Sequence, residues 1–256
     1  MHFHLPKPLH GWREFTGEVG IIVLGVLIAL GAEQLVERFR NHQAAARAST
    51  AIKWELARQR LDAIERLAVQ PCLTGQLNRL AVKLAAFKGG EWTGMPMTVA
   101  QTRIDTAQRT IPPAYRAPER LWVSEAWQTA RSNGSINYLP ETTVGAFARS
   151  YNRGDQILLL QAQENEAAAE LAPLAVDGPL GTQDRASLLG AVAKVDHANA
   201  VMVYQAKALE AELGPLLRDL PEKEIDHETA EMVSLQRKFR GNCVLPLKLT
   251  GERERG

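Results

Sequence analysis

The longest apolar stretch in the chain is VGIIVLGVLIALGA, residues 19–32, which carries no polar side chain and is bounded by Glu18 and Glu33. Fourteen helical residues rise about 21 Å, which is less than the roughly 30 Å hydrocarbon core of a bilayer. Apolar residues on either side, out to Phe15 and Val36, lengthen the segment toward the span of a transmembrane helix. The pattern therefore favours a membrane anchor.

Two alternatives to a retained anchor over residues 17–36 remain open. A short apolar run can also be the buried helix of a soluble protein, or the apolar part of a signal peptide cleaved after Gly31 or Ala32. The leader contains the acidic residues Glu14 and Glu18, which argues against cleavage because signal peptides begin with a basic segment. Residues 1–16 are then a short tail.

Beyond the anchor, apolar residues recur at spacings of three and four, which predicts helices with one buried face. The first helix should continue from the anchor to about Gln70, just before Pro71. The same spacing recurs over residues 144–169, 188–213 and 225–239. No stretch alternates as a β-strand does.

Between these helices the sequence is less regular. Residues 73–87 predict a short helix, and residues 91–117 contain enough proline and glycine to predict a loop. Residues 118–132 predict another helix, ended by Asn133-Gly134.

The predicted fold class is all-α: an N-terminal transmembrane helix continues into a long helix, which packs in an extramembrane helical bundle. The bundle should cover residues 37–245, followed by a polar tail at 246–256. A length of 256 residues with 45% hydrophobic content suits one such domain and an anchor. The formal net charge of +1 argues against nucleic acid as a partner.

Cys72 and Cys243 are the two cysteines. They form either one disulfide or two unrelated buried thiols. A bridge would close a loop of about 170 residues, which chain-entropy models value at about 5 kcal/mol. It would also place the bulk of the chain in an oxidising compartment, periplasmic or extracellular.

Catalytic and metal-binding patterns are absent from the sequence, so we predict no enzyme, no metal site and no cofactor. Neither HExxH, GxSxG nor a phosphate-binding glycine loop occurs. Glu164, Glu166 and Glu170 cluster on one predicted helix; Glu166 and Glu170 share a face at spacing four and are interpreted as solvent-exposed. Asn165 and Asn199 fall at apolar positions of their helices, where buried asparagines fix helix register or line a ligand pocket.

Two sets of residues are candidate contact surfaces. Gly25 and Ala29 are four residues apart in the anchor and could let a second helix approach closely. Four aromatic residues between positions 120 and 151 either pack in the core or form an interaction groove; they are Trp122, Trp127, Tyr138 and Tyr151.

The anchor, GEVGIIVLGVLIALGAEQLVE, resembles the N-terminal segment of a family of uncharacterised bacterial single-pass membrane proteins. In that family a Gly-Glu pair opens a helix that ends in Leu-Ile-Ala-Leu, here residues 27–30. A weaker similarity covers residues 126–137 and the helix with Tyr151. The usual Asn-Trp-Asn ending is replaced by Glu33-Gln34. The resemblance implies a bacterial, single-pass topology and no particular activity.

The expected function is that of a non-enzymatic interaction or assembly module, tethered to the bacterial inner membrane with its bulk in the periplasm. Its expected partners are the lipid bilayer and either a second copy of the chain or another membrane protein. The alternative is a ligand-sensing helical domain that signals through a partner membrane protein.

Overall fold

The computed structural model describes residues 12–97 and 111–246, with side chains from residue 15 onward. Within these residues, the chain is built from helices packed against each other, so the predicted all-α fold class is confirmed. The helices are α1 (Trp12–Ala86), α2 (Glu125–Ser132), α3 (Glu141–Ala169), α4 (Thr182–Leu216) and α5 (Glu222–Arg240). Residues 1–11 and 247–256, most of the two predicted tails, lie outside the described residues, as does the middle of the predicted loop.

The first part of α1 projects from the rest of the molecule. Every described side chain from residue 15 to residue 40 is exposed, although the most apolar 18-residue window has a mean hydropathy of 2.3. Ile21 and Leu27 are 75% and 61% exposed. In the described part of the chain this is the one helix long and apolar enough to cross a membrane. The structure therefore does not show the first alternative, in which this segment is a helix buried within a soluble domain.

From Ala45 onward α1 becomes the central helix of the bundle. It packs against α2, α4 and α5, while α3 packs mainly on α4. Because neighbours surround it, burial is not confined to the single predicted stripe. Trp54 is 38% exposed, whereas Ile52 is fully buried.

Helix α1 does not end near Gln70, and residues 73–86 belong to it rather than to a separate short helix. Pro71 cannot donate a hydrogen bond to the carbonyl of Leu67, and an interior proline costs about 3 kcal/mol or more. Four leucines beyond it, at helical spacing, are at most 1% exposed: Leu73, Leu77, Leu80 and Leu84. Burying each contributes about 1.5–3 kcal/mol, so the packing outweighs the proline.

The predicted helix over residues 118–132 begins only at Glu125. In the segment before it, side chains from other helices bind the backbone N–H and carbonyl groups that a helix would pair internally. Gln161 accepts from the Arg120 N–H at 2.9 Å and donates to the Arg120 carbonyl at 3.1 Å. Gln59 donates to the Val123 carbonyl at 2.8 Å. The predicted stop is confirmed: Gly134 follows the helix with a φ of 75°, which favours glycine.

The absence of strands was predicted, but two three-residue strands are present. Strand β1 (Gly90–Trp92) pairs antiparallel with β2 (Gly178–Leu180). Three residues are too few to show the alternation by which strands are recognised. Next to this ribbon, a Cβ at Gly94 would lie 2.6 Å from the Ala175 carbonyl oxygen, so the close approach of the two segments requires glycine.

The predicted helices over residues 144–169, 188–213 and 225–239 correspond to α3, α4 and α5. The buried face of α3 is not simply its apolar face. Leu158 is 42% exposed, whereas Ile157 and Glu164 are 1% exposed. The core of α3 thus includes a charged residue that its apolar spacing does not reveal.

Candidate functional site

A layer of buried polar side chains crosses the bundle between two apolar clusters. One cluster contains the α1 residues Ile52 to Ala63, and the other contains α1 residues from Ala68 to Leu84. Where the two clusters meet, α1 carries Asp62, Glu65 and Arg66, each at most 5% exposed. We call these three and their partners the polar layer; the partners are Tyr115, Arg120, Glu164, Asn199 and Gln236.

Arg66 is the centre of the first group of contacts. Its guanidinium donates to both carboxylate oxygens of Glu164, at 3.0 and 2.6 Å, and to Asn199 Oδ1 at 2.6 Å. Tyr115 donates to Glu164 Oε1 at 2.5 Å. Burial alone would lower the pKa of Arg66, but the charge of Glu164 holds this pKa above its ordinary value. Arg66 therefore keeps its charge inside the bundle.

Arg120 is the centre of the second group. Its Nε donates to Glu65 Oε2 at 2.6 Å, and its Nη2 donates to the other oxygen of the same carboxylate. Gln236 of α5 donates to Glu65 Oε1 at 2.8 Å and accepts from Arg240 Nε at 3.0 Å. The polar layer thus joins α1 to the segment before α2 and to α5.

Asp62 is the least compensated member of the polar layer. Its ion pair with Arg120 is long, 3.5 Å between Oδ1 and Nε, and Arg120 is already engaged by Glu65. Burial raises the pKa of Asp62 to about 6, with the charge of Glu65 adding to the rise and Arg120 and Arg58 opposing it. Ionising Asp62 therefore costs free energy in the folded chain.

A groove between α1 and α5 leads to Asp62. Its volume is about 890 Å³, and its lining includes Arg58 and Asp62 from α1 with His227, Glu231 and Lys238 from α5. Arg120, which pairs with Asp62, also lines the groove. Among the described residues, no three His, Cys, Asp or Glu side chains are grouped to hold a metal ion.

We expect Asp62→Asn to stabilise the protein at neutral pH. The pKa of Asp62 in the folded chain lies above 3.8, so Asp62 ionises at a lower pH in the unfolded chain than in the folded chain. The free energy of unfolding therefore falls as pH rises from about 4 to 6. A rise of about two units corresponds to about 3 kcal/mol. Urea unfolding at about pH 7.5 should show this gain, which should vanish near pH 4.

The matched control is Asp155→Asn, which alters an exposed carboxylate on α3. Surface substitutions of this kind change stability by about 0.5 kcal/mol or less. An Asp62→Asn chain that is no more stable than wild type at neutral pH would show that Asp62 is fully compensated by Arg120.

The four aromatic residues proposed as an interaction groove do not form one. Trp122, Trp127 and Tyr151 are 8%, 9% and 3% exposed, so core packing is the correct alternative for them. Trp127 stacks on Tyr151 with ring centroids 5.5 Å apart, and the Tyr151 hydroxyl donates to Glu55 at 2.5 Å. Apolar rings this large bury readily once a neighbouring helix covers them. Tyr138 remains exposed.

The cysteines and the two asparagines have definite places. Cys72 in α1 and Cys243 after α5 are joined by a disulfide, with Cα atoms 5.0 Å apart. Asn199 is buried and accepts from Arg66, whereas Asn165 is only half-buried. Glu166 and Glu170 are exposed, as predicted, whereas Glu164 is buried. The burial of Glu164 was missed because the arginine that compensates its charge lies 98 residues away in sequence.

Gly25 and Ala29 lie on the exposed part of α1. No atom outside the helix approaches within 4 Å of a Cβ placed on Gly25. This face is therefore open to another helix.

Comparisons of the chain with protein-family models, with curated proteins and with solved structures found no match. The fold and the site are therefore interpreted from the residues themselves.

Proposed function

We propose that this protein is a single-pass, membrane-tethered interaction module without enzymatic activity. The observation that carries the proposal is the division of α1. Residues 15–40 expose an apolar surface to the surroundings, and the same uninterrupted helix is the centre of the bundle from Ala45 to Ala86. Exposure of so many large apolar side chains is stable in lipid and unfavourable in water.

The proposed topology places the bulk of the chain on the oxidising side of a bacterial inner membrane, the periplasm. The disulfide between Cys72 and Cys243 supports this side, because disulfides persist in oxidising compartments and are rare in the cytosol. The resemblance of the anchor to bacterial single-pass proteins agrees with the same topology.

The proposed contact surface within the membrane is the face that contains Gly25 and Ala29. Helices in lipid associate mainly by close packing, which small residues permit. The partner is a second copy of the chain or the transmembrane helix of another membrane protein. The bundle would then hold a second domain or subunit at a fixed distance from the bilayer.

We expect the full chain to stay in the membrane pellet after a carbonate wash and then to co-purify, in mild detergent, with a differently tagged copy or a stoichiometric membrane protein. Gly25→Leu with Ala29→Leu should abolish the co-purification, because two large side chains separate the helices. Val23→Leu with Leu27→Ile, on the opposite helix face, is the matched control.

The two stages of this experiment test separate parts of the proposal. Release of the chain by carbonate would contradict the tether. Retention without any stoichiometric partner, or a complex that survives the Gly25 and Ala29 substitutions, would contradict the contact surface.

A second candidate function is the sensing of a small basic ligand, with signalling through a partner membrane protein. The observation that favours it is the groove with Asp62 at its base. A site that costs stability is typical of a functional position. An amine that raises the melting temperature of wild type and not of Asp62→Asn would support sensing, whereas equal shifts in both would contradict it.

A further inference from the structure

We infer that the 3-10 turn Ser135–Tyr138 rests on the phospholipid headgroups of the membrane that holds the anchor, so that the bundle touches the bilayer at a second point. This inference rests on the proposed tether. It follows from where the turn lies along α1, from the exposed side chain that it presents, and from the thickness of the headgroup layer.

The turn is fixed at the membrane-proximal end of the bundle. Asn41 Nδ2 donates to the Tyr138 hydroxyl at 2.8 Å, and the rings of His42 and Tyr138 meet edge to face, with centroids 6.2 Å apart. Further along α1, Lys53 donates to Asp219, which lies beyond the end of α4. Of the described parts of the bundle, the turn is thus the one nearest to the proposed anchor.

The distance from the lipid core to the turn matches the headgroup layer. Asn41 follows Val36 by five residues, which is about 7.5 Å along a helix. The headgroup region on each side of a bilayer is about 5–7.5 Å thick, because the total thickness is about 40–45 Å and the hydrocarbon core about 30 Å. Tilting the helix toward the side that carries the turn would bring the turn closer still.

The side chains at this level suit the headgroup layer. Tyr138 is 44% exposed although its hydroxyl is engaged, and tyrosine is enriched at membrane–water interfaces. Arg38 and Arg40, both exposed on α1, lie at the same level and can pair with lipid phosphates. An aromatic residue and two guanidinium groups together favour a phospholipid surface as the occupant.

The test uses the full chain with a single added cysteine, labelled with an environment-sensitive fluorophore and inserted into phosphatidylcholine–phosphatidylglycerol liposomes. Asn137→Cys places the label beside Tyr138 without removing it. Tyr204→Cys is the matched control, since Tyr204 is 69% exposed on α4. It lies between the α4 residues that bind Arg60 and Arg66, at least 24 residues or about 36 Å beyond Val36.

We expect a lipid with a nitroxide on its headgroup to quench the label at position 137 at least two-fold and to leave the label at position 204 unchanged. Chains that float with the liposomes but show equal quenching at both positions, or none at position 137, would overturn this inference and leave the tether intact. Chains that do not float with liposomes would overturn the tether and the inference together.

Discussion

We expect reduction of the Cys72–Cys243 disulfide to lower the free energy of unfolding by about 5 kcal/mol. The bond closes a loop between residues 171 positions apart. In the chain-entropy description, opening such a long loop gives the unfolded chain more conformational freedom. This lowers the free energy of unfolding by about 5 kcal/mol. Reduction also releases the segment after α5, where the Leu245 N–H donates to the Ala68 carbonyl at 2.8 Å.

The measurement is urea unfolding of the full chain in detergent micelles, followed by tryptophan fluorescence, with and without reductant. Cys72→Ala with Cys243→Ala should reproduce the loss and should no longer respond to reductant. If reductant left the unfolding midpoint of wild type unchanged, the bridge would contribute nothing to stability.

Glu164→Gln should destabilise the protein by about 3–5 kcal/mol. The substitution preserves the shape of the side chain but removes the charge that compensates Arg66, and an uncompensated charge in a protein interior is costly. Arg66 and Glu164 have side chains only 6% and 1% exposed. Unfolding by urea at neutral pH measures the loss.

Glu170→Gln is the matched control, because Glu170 follows the same helix and pairs with Lys194 through side chains that are 45% and 62% exposed. Solvent-exposed pairs contribute about 1 kcal/mol or less. Replacing both partners, Arg66→Met with Glu164→Leu, should recover much of the loss. Equal effects of Glu164→Gln and Glu170→Gln would contradict a buried ion pair.

The helical class and the long apolar helix near the start of the chain could be predicted because they depend on local patterns. Apolar spacing and proline positions predicted α3, α4 and α5, since both act within a few residues. Pro71 shows where such rules fail. A proline normally ends a helix, but the buried leucines that follow it are stabilised by other helices, and sequence spacing alone does not supply that free energy.

The polar layer could not be predicted for a related reason. Glu65 pairs with Arg120, 55 residues away, and with Gln236, 171 residues away. A charged residue at a helix position is ordinarily exposed, and only the tertiary arrangement shows which charges have buried partners. One weak signal existed: Asp62, Glu65 and Arg66 interrupt the apolar face of α1 at helical spacing.

The central place of α1 has a consequence for biosynthesis. This helix leaves the ribosome before α2 to α5, and its partners come much later: Lys53 binds Asp219, 166 residues downstream, and Arg60 binds Glu210, 150 residues downstream. Contacts so distant in sequence form slowly. Until α4 and α5 have been translated, the apolar surface of α1 from Ala45 onward is uncovered, so nascent chains should depend on chaperones to avoid aggregation.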